Sequence, residues 1–184
     1  MAGIIRTVGA YRPRVRRGRS HFHDLVRSIV YQQLSGKAAG TIHARFVALF
    51  PRRHADPERL LQLSDETLRA AGLSRQKVGY LRDLALKVHT GAVPLDRVRH
   101  MGDDAIIEHL VQVRGVGRWT AQMFLMFRLG RPDVLPELDL GIQNAVQRAY
   151  GLRRRATPED VRRIGAPWTP YSSYACWYLW RSLE

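Results

Sequence analysis

An all-α fold follows from three features of the 184-residue sequence. Apolar residues recur at three- and four-residue spacings in segment after segment, as on one face of a helix. Gly, Pro, Ser or Asp stands where such segments start and stop. No stretch sustains the alternation of a half-buried strand. The length is that of about one domain, enough to bury a core without disulfides or metal clips. Nine or ten short helices are expected. There is no internal repeat and no low-complexity segment.

Taken in order, residues 1–20 carry Arg6, Arg12, Arg14, Arg16, Arg17 and Arg19 with little apolar periodicity. They are predicted to be a basic N-terminal arm, at most partly ordered, ahead of a domain over 21–184. Phe22, Leu25, Val26, Ile29 and Val30 mark the first amphipathic helix. Leu34-Ser35-Gly36 breaks it, and Ala38, Ala39, Ile42, Phe46 and Leu49 continue on a second helix that Pro51 ends. Ser64 is placed to cap a helix with Asp65 and Glu66 in its first turn and Gly72 past its end. Ser74 is placed to cap the next, carrying Val78, Leu81, Leu84, Ala85 and Val88 and stopping before Gly91. A helix over about 103–113 meets Gly115-Val116-Gly117, and another follows over about 118–129. Further helices are predicted near 139–149, 158–164 and 170–183.

Composition narrows the function. Thirty Lys and Arg against 16 Asp and Glu give a net charge of +14, and all but Lys37, Lys77 and Lys87 of the bases are arginines. A hydrophobic content of 45% argues against a disordered basic tail. No run approaches 18 apolar residues, so no membrane span is expected. The N-terminus has no apolar stretch behind its charges and does not read as a secretory signal. Cys176 is the one cysteine, too few for a disulfide framework, a zinc site or a cysteine-ligated iron–sulfur cluster. What remains is a compact, intracellular, basic domain. A pI of about 11.1 points to a polyanion, nucleic acid first. An arginine-rich proteome is the other source of such a bias.

The segment over 105–129 holds two apolar helices around a turn with two glycines one residue apart. Glycine admits backbone angles closed to other residues and lets a second backbone approach. The amides at the start of the second helix lack intrahelical partners, and free amides at a helix N-terminus make an anion site. In a basic protein the natural anion is a DNA phosphate. A plain tight turn is the alternative, against which stands Arg118 directly after Gly117.

The turn resembles a helix-hairpin-helix motif, and the loop behind it, over about 130–146, sharpens the resemblance. DVLPELDLGIQNAV (133–146) is similar to the Gly/Pro loop and aspartate of the helix-hairpin-helix DNA glycosylases. SIVYQQLSGKAAGTI (28–42), GLSRQKVGYLRDLA (72–85) and WTPYSSYACWYLW (168–180) resemble elements of the 3-methyladenine DNA glycosylase II branch, in that branch's order. The resemblance covers about 20–184. It implies two helical lobes around an active-site cleft, one lobe from the middle of the chain and one from its two ends. It also implies excision of damaged bases from duplex DNA.

Breaking an N-glycosidic bond builds positive charge on the sugar, which a nearby carboxylate stabilises while it orients or deprotonates the attacking water. The resemblance places that carboxylate at Asp139. The first acidic position of the family string is Leu138 here, with Glu137 one residue early. Asp139 is equally placed to cap the 139–149 helix, and both roles are compatible. Purines alkylated at N3 or N7 are already cationic leaving groups, which suits capture by aromatic faces. Trp119 and Trp180 match pocket tryptophans of the family, and Tyr174 is a further base-pocket candidate. Core packing is the alternative for the aromatic stripe that also holds Trp177 and Tyr178. Leu34 matches the family's wedge, the apolar side chain that fills the gap left by the extruded base; it could equally be a packing leucine. Gln33 and Ser35 flank it. Gly115, Gly117, Arg118 and Thr120 are the remaining DNA-binding candidates.

In bifunctional relatives a lysine follows the hairpin's second glycine by two residues and attacks C1′. That position is Trp119, and no lysine follows Lys87, so water is the expected nucleophile and the enzyme monofunctional. No cofactor is expected to be required. His21, His23 and His109 lack a third clustered ligand, so no side-chain metal site is expected. The family's hairpin often binds a monovalent cation through backbone carbonyls, here those of Val111, Val113 and Val116. The expected partner is duplex DNA with damaged bases, met by a monomer, in the bacterial cytoplasm (nucleoid) or the eukaryotic nucleus. The expected substrates are of the 3-methyladenine and 7-methylguanine type. Two alternatives remain: a glycosylase for deaminated bases such as uracil or hypoxanthine, and a non-catalytic damage-binding module of the same fold.

Overall fold

The computed structural model describes residues 1–11 and 20–184, and among them there is no strand. Eleven α-helices are described: α1 Ala2–Val8, α2 His21–Tyr31, α3 Gly36–Ala48, α4 Pro57–Gln62, α5 Asp65–Ala70, α6 Arg75–His89, α7 Asp103–Val111, α8 Arg118–Phe124, α9 Leu140–Tyr150, α10 Pro158–Gly165 and α11 Ser172–Arg181. The all-α expectation holds. Two of these helices, α1 and α4, were not anticipated. The predicted helix over 118–129 changes winding midway, continuing from α8 as a π-helical turn over Leu125–Leu129.

Polar caps start most of these helices, because the first N–H groups need acceptors. Ser64 accepts from Thr67 N–H and Ser74 from Lys77 N–H, as their sequence positions predict. Ser20, Ser35 and Asp56 do the same for α2, α3 and α4. Thr157 and Asp160 cap α10 reciprocally.

The chain divides into two compact units, Arg16–Phe124 and Met1–Val15 with Leu125–Glu184. In the first, α6 packs against α2 and α4, and Leu25, Ile29, Phe46, Leu60, Leu81 and Leu84 are fully buried. In the second, α11 packs on α9 and α1 on α11. Ile142, Val146, Cys176 and Leu179 form its centre.

Part of the N-terminal arm is ordered. Residues 2–8 are helical, and Tyr11 packs its ring 4.7 Å from that of Tyr174 and 4.9 Å from that of Trp177. Tyr178 Oη donates to Gly9 O at 3.1 Å. Aromatic packing on α11 thus orders a segment whose own pattern shows little periodicity. Arg12, Arg14, Arg16, Arg17 and Arg19 lie outside the described residues. No helix among the described residues is long and apolar enough to cross a membrane.

Leu81 sits fully buried in the middle of α6. Leu81→Ala should cost about 2–5 kcal/mol by transfer plus cavity. Urea unfolding at neutral pH measures this; a loss well under 1 kcal/mol would contradict the packing described.

Candidate active site

The loop that carries Asp139 is pinned to the start of α11. Ser173 Oγ donates to Arg131 O at 2.7 Å and accepts from Val134 N–H at 3.0 Å. Ser173 N–H donates to Pro132 O at 2.9 Å, and Ser172 N–H donates to Asp133 Oδ1 at 3.1 Å. The loop then turns, with Asp139 N–H donating to Pro136 O at 3.0 Å, and reaches α9.

Asp139 is the N-cap of α9. Its Oδ1 accepts from Ile142 N–H at 2.8 Å and from the indole Nε1–H of Trp180 at 2.9 Å. Two donors from different elements converge on one oxygen and fix the orientation of the carboxylate. Gly141 makes room for this: an added Cβ would lie 3.0 Å from Asp139 Oδ1 and 3.0 Å from Trp180 Cδ1. Trp180 is half-buried, and Phe127, on the π-helical turn, sets its ring 5.8 Å away and tilted by 35°. Burial, and then the charge of Asp139, pushes the Cys176 thiol far up, so this buried cysteine is an inert packing group. Glu137 pairs with Arg162 at 3.4 Å, and its carbonyl accepts from Gln143 Nε2 at 3.0 Å. Leu138 is 49% exposed, a hydrocarbon beside the carboxylate.

Trp180 and Asp139 are therefore brought together as the sequence suggests, but Tyr174 is not with them. Six residues at about 100° each put Tyr174 and Trp180 about 120° apart around α11. Tyr174 stands instead between Tyr11 and Tyr171, 4.7 and 5.9 Å from their rings. Phe127 and Gly141 are the site residues that sequence reading missed. Gly141 was visible in the quoted string; Phe127 had no signal apart from being aromatic.

The remaining candidates lie in Arg16–Phe124. Gln33 has φ +56°, in the left-handed region, and Leu34 after it is 39% exposed at the tip of the turn. Ser35 caps α3 by accepting from Ala38 N–H at 3.3 Å. Trp119 is 45% exposed on the first turn of α8, beside an exposed Arg118. Thr120 is only 7% exposed and packs inward.

The hairpin depends on α6. Gly115 has φ +80°, and a Cβ there would clash with the ring of Tyr80. Gly117 faces open space. Asp83 Oδ2 accepts from Arg114 N–H at 2.8 Å and from Lys87 Nζ at 2.6 Å. Lys77 Nζ and the Gln32 side chain fasten the neighbouring turn: Lys77 donates to Val30 O and Gln32 O, and Gln32 to Gly115 O. Val113 and Val116 are buried at the hairpin, with Val116 N–H donating to Val113 O at 3.0 Å. His23 is a core residue whose Nδ1 accepts from Ala55 N–H at 3.3 Å. Among the described residues no group of three or more His, Cys, Asp or Glu is placed to hold a metal.

Comparison with known proteins agrees with this architecture. The profile of the HhH-GPD superfamily base excision DNA repair proteins matches residues 26–170, so the chain belongs to that superfamily. The chain is 32% identical over 182 residues to DNA-3-methyladenine glycosylase 1 of Schizosaccharomyces pombe, covering 97% of this chain and 80% of that protein. It is 35% identical over 171 residues to YfjP of Bacillus subtilis, covering 90% of this chain but only 60% of that protein's length. Among solved structures, a Bacillus halodurans DNA-3-methyladenine glycosidase superposes with a TM-score of 0.91 at 36% identity, over 98% of this chain and 82% of that one. A Schizosaccharomyces pombe 3-methyladenine DNA glycosylase, in complex with abasic DNA, superposes with a TM-score of 0.85 at 32% identity, over 98% of this chain and 89% of that one.

Asp83 gives the hairpin a pH dependence. Burial pushes its carboxyl up, but hydrogen bonds from Lys87 and Arg114 N–H, helped by both cationic charges, outweigh this and hold it below the usual carboxylate range. A group depressed in the folded state stabilises fully above its unfolded pKa of about 3.9, and that stabilisation is lost as pH falls through the folded value. Asp83→Asn should therefore destabilise at pH 7, and the penalty should shrink at pH values below about 4. Urea unfolding of both proteins across pH 7 to 3 measures it; a penalty of constant size would show that the charge is not what anchors Arg114.

Proposed function

We propose that this chain is a monofunctional DNA glycosylase that excises alkylated purines of the 3-methyladenine and 7-methylguanine type from duplex DNA. The observation that carries the reading is the Asp139 carboxylate, oriented by Ile142 N–H and Trp180 Nε1–H in a member of a base excision superfamily. Relatives over nearly the whole chain are 3-methyladenine glycosylases by name, and a similar structure is bound to abasic DNA.

In this reading the Trp180 face takes the extruded base, with Phe127 beside it. A cationic purine is attracted by such faces and leaves as a neutral base. As the glycosidic bond breaks, electrons go to the base and positive charge develops at C1′. Asp139 stabilises that charge and takes the proton of the water that adds to C1′. Leu34 fills the gap in the stack, with Gln33 and Ser35 at its base. The hairpin backbone at Gly117, with Arg118, holds phosphate. The carbonyl of Val111 lies at the C-terminal end of α7, where a helix favours cations, those of Val113 and Val116 follow in the hairpin, and a carbonyl already accepting one N–H keeps a second lone pair. A monovalent cation held there would add positive charge beneath the phosphate. The reaction itself needs no cofactor. The enzyme would act as a monomer on DNA, in the nucleoid or the nucleus.

Incubation with methylated DNA tests the reading. Free 3-methyladenine or 7-methylguanine should appear, with abasic sites in an unbroken strand and no borohydride-trappable adduct. Asp139→Asn should abolish release and leave DNA binding largely intact; release at the wild-type rate would move the chemistry to another residue. Trp180→Phe keeps a ring but removes the donor to Asp139. A hydrogen bond to a charged group contributes about 1.5–3 kcal/mol, so single-turnover release should fall by tenfold or more. An unchanged rate would reduce Trp180 to a stacking surface.

A further inference from the structure

Base extrusion and phosphate grip fall to two different segments, the Gln33–Leu34 turn and the Gly115–Gly117 hairpin. Within Arg16–Phe124 one residue joins them. Gln32, the C-cap of α2, donates from Nε2 to Gly115 O at 2.8 Å. Its own carbonyl accepts from Lys77 Nζ at 2.8 Å, and the same ammonium reaches Val30 O at 2.6 Å. The last carbonyls of a helix lack intrahelical donors and carry the negative end of its dipole, so a cation there is favoured twice. Burial pulls the Lys77 ammonium below the usual lysine range, which marks it as partly withdrawn from water. One turn further along α6, the Tyr80 ring packs where a side chain at Gly115 would have to go. The residue fastened least by itself is Gln33, whose φ of +56° is a conformation non-glycine residues rarely adopt.

We propose that Lys77, acting through Gln32, is a positioning residue for base extrusion: it holds the strained Gln33–Leu34 turn to the hairpin so that wedge and phosphate grip enter DNA as one rigid element. This rests on the base-excision reading above. Neither residue touches the reacting atoms. Their contribution belongs to opening the base pair, and it shrinks when the pair is already absent, because unstacking costs least for an unpaired base.

The test compares single-turnover release of 7-methylguanine from two duplexes, one pairing it with cytosine and one placing it opposite an abasic site. The proteins are the wild type, Asp139→Asn, Lys77→Met and Gln32→Leu, each corrected for folded fraction by its melting curve. Lys77→Met should lose about tenfold or more on the paired duplex and only about threefold or less on the unpaired one. Gln32→Leu, at a partly exposed position, should lose in the same direction by a smaller factor and carries the test if Lys77→Met does not fold. Asp139→Asn should lose both activities alike. Equal losses on the two duplexes, or no loss, for the Lys77 and Gln32 variants would overturn the positioning role alone. A wild type that releases the base from neither duplex would overturn the base-excision reading and this proposal with it.

Discussion

The constraint on which the unit of residues 125–184 depends is the double hydrogen bond to Asp139 Oδ1. A carboxylate at a helix N-cap satisfies amides that would otherwise be orphaned and sits at the positive end of the helix dipole. Here the same oxygen also receives the Trp180 indole from 41 residues away. Helix start, carboxylate orientation and aromatic surface are therefore one arrangement. It demands a residue without a Cβ at Gly141, the α9–α11 packing that delivers Trp180, and the Ser172–Ser173 contacts that deliver the loop. A carboxylate that merely capped a helix would need none of the last three.

In the other unit the organising element is α6. Ser74 starts it, and its outward residues do unlike tasks in succession: Lys77 on the end of α2, Tyr80 against Gly115, Asp83 on Arg114 N–H. Three-residue steps make each the helical neighbour of the next, so together they sweep about 120° around α6. The inward residues Leu81 and Leu84 anchor the same helix in the core. A rigid helix thus holds two loops whose backbones, at Gln33 and Gly115, both occupy left-handed conformations.

Much of this was legible in the sequence, for reasons that differ by residue. Asp139 carries two local signals, a cap position and a family string, and both hold as geometry for the cap and as resemblance for the chemistry. Ser64 and Ser74 were readable because caps act within three residues. The partners of Trp180, Gln32 and Lys77 lie 41, 83 and 45–47 residues away, and no periodicity reports a contact over such separations. Tyr174 lies about 120° around α11 from Trp180, a separation that resemblance by residue type ignores. Residues 2–8 form a helix by packing, with Tyr11 held against α11, rather than by pattern. The helix α4 is only six residues long, and its Asp56-Pro57 start is a weak signal alone. The π-helical turn leaves no trace in apolar spacing, yet it is what presents Phe127 beside Trp180.

The scarcity of lysine bears on the reaction type. Of 30 basic residues, 27 are arginines, whose guanidinium stays protonated and serves phosphates well but offers no amine nucleophile. Two of the three lysines have tasks within Arg16–Phe124: Lys77 on the carbonyls of Val30 and Gln32, Lys87 on Asp83. The third, Lys37, is an exposed residue near the start of α3. None lies among residues 125–184, where Asp139 and Trp180 meet. Schiff-base chemistry at C1′ needs a lysine amine at the reacting carbon, which neither the hairpin position of Trp119 nor residues 125–184 supply. What that segment supplies is a fixed carboxylate beside an aromatic face, the equipment for a departing cationic base and an attacking water.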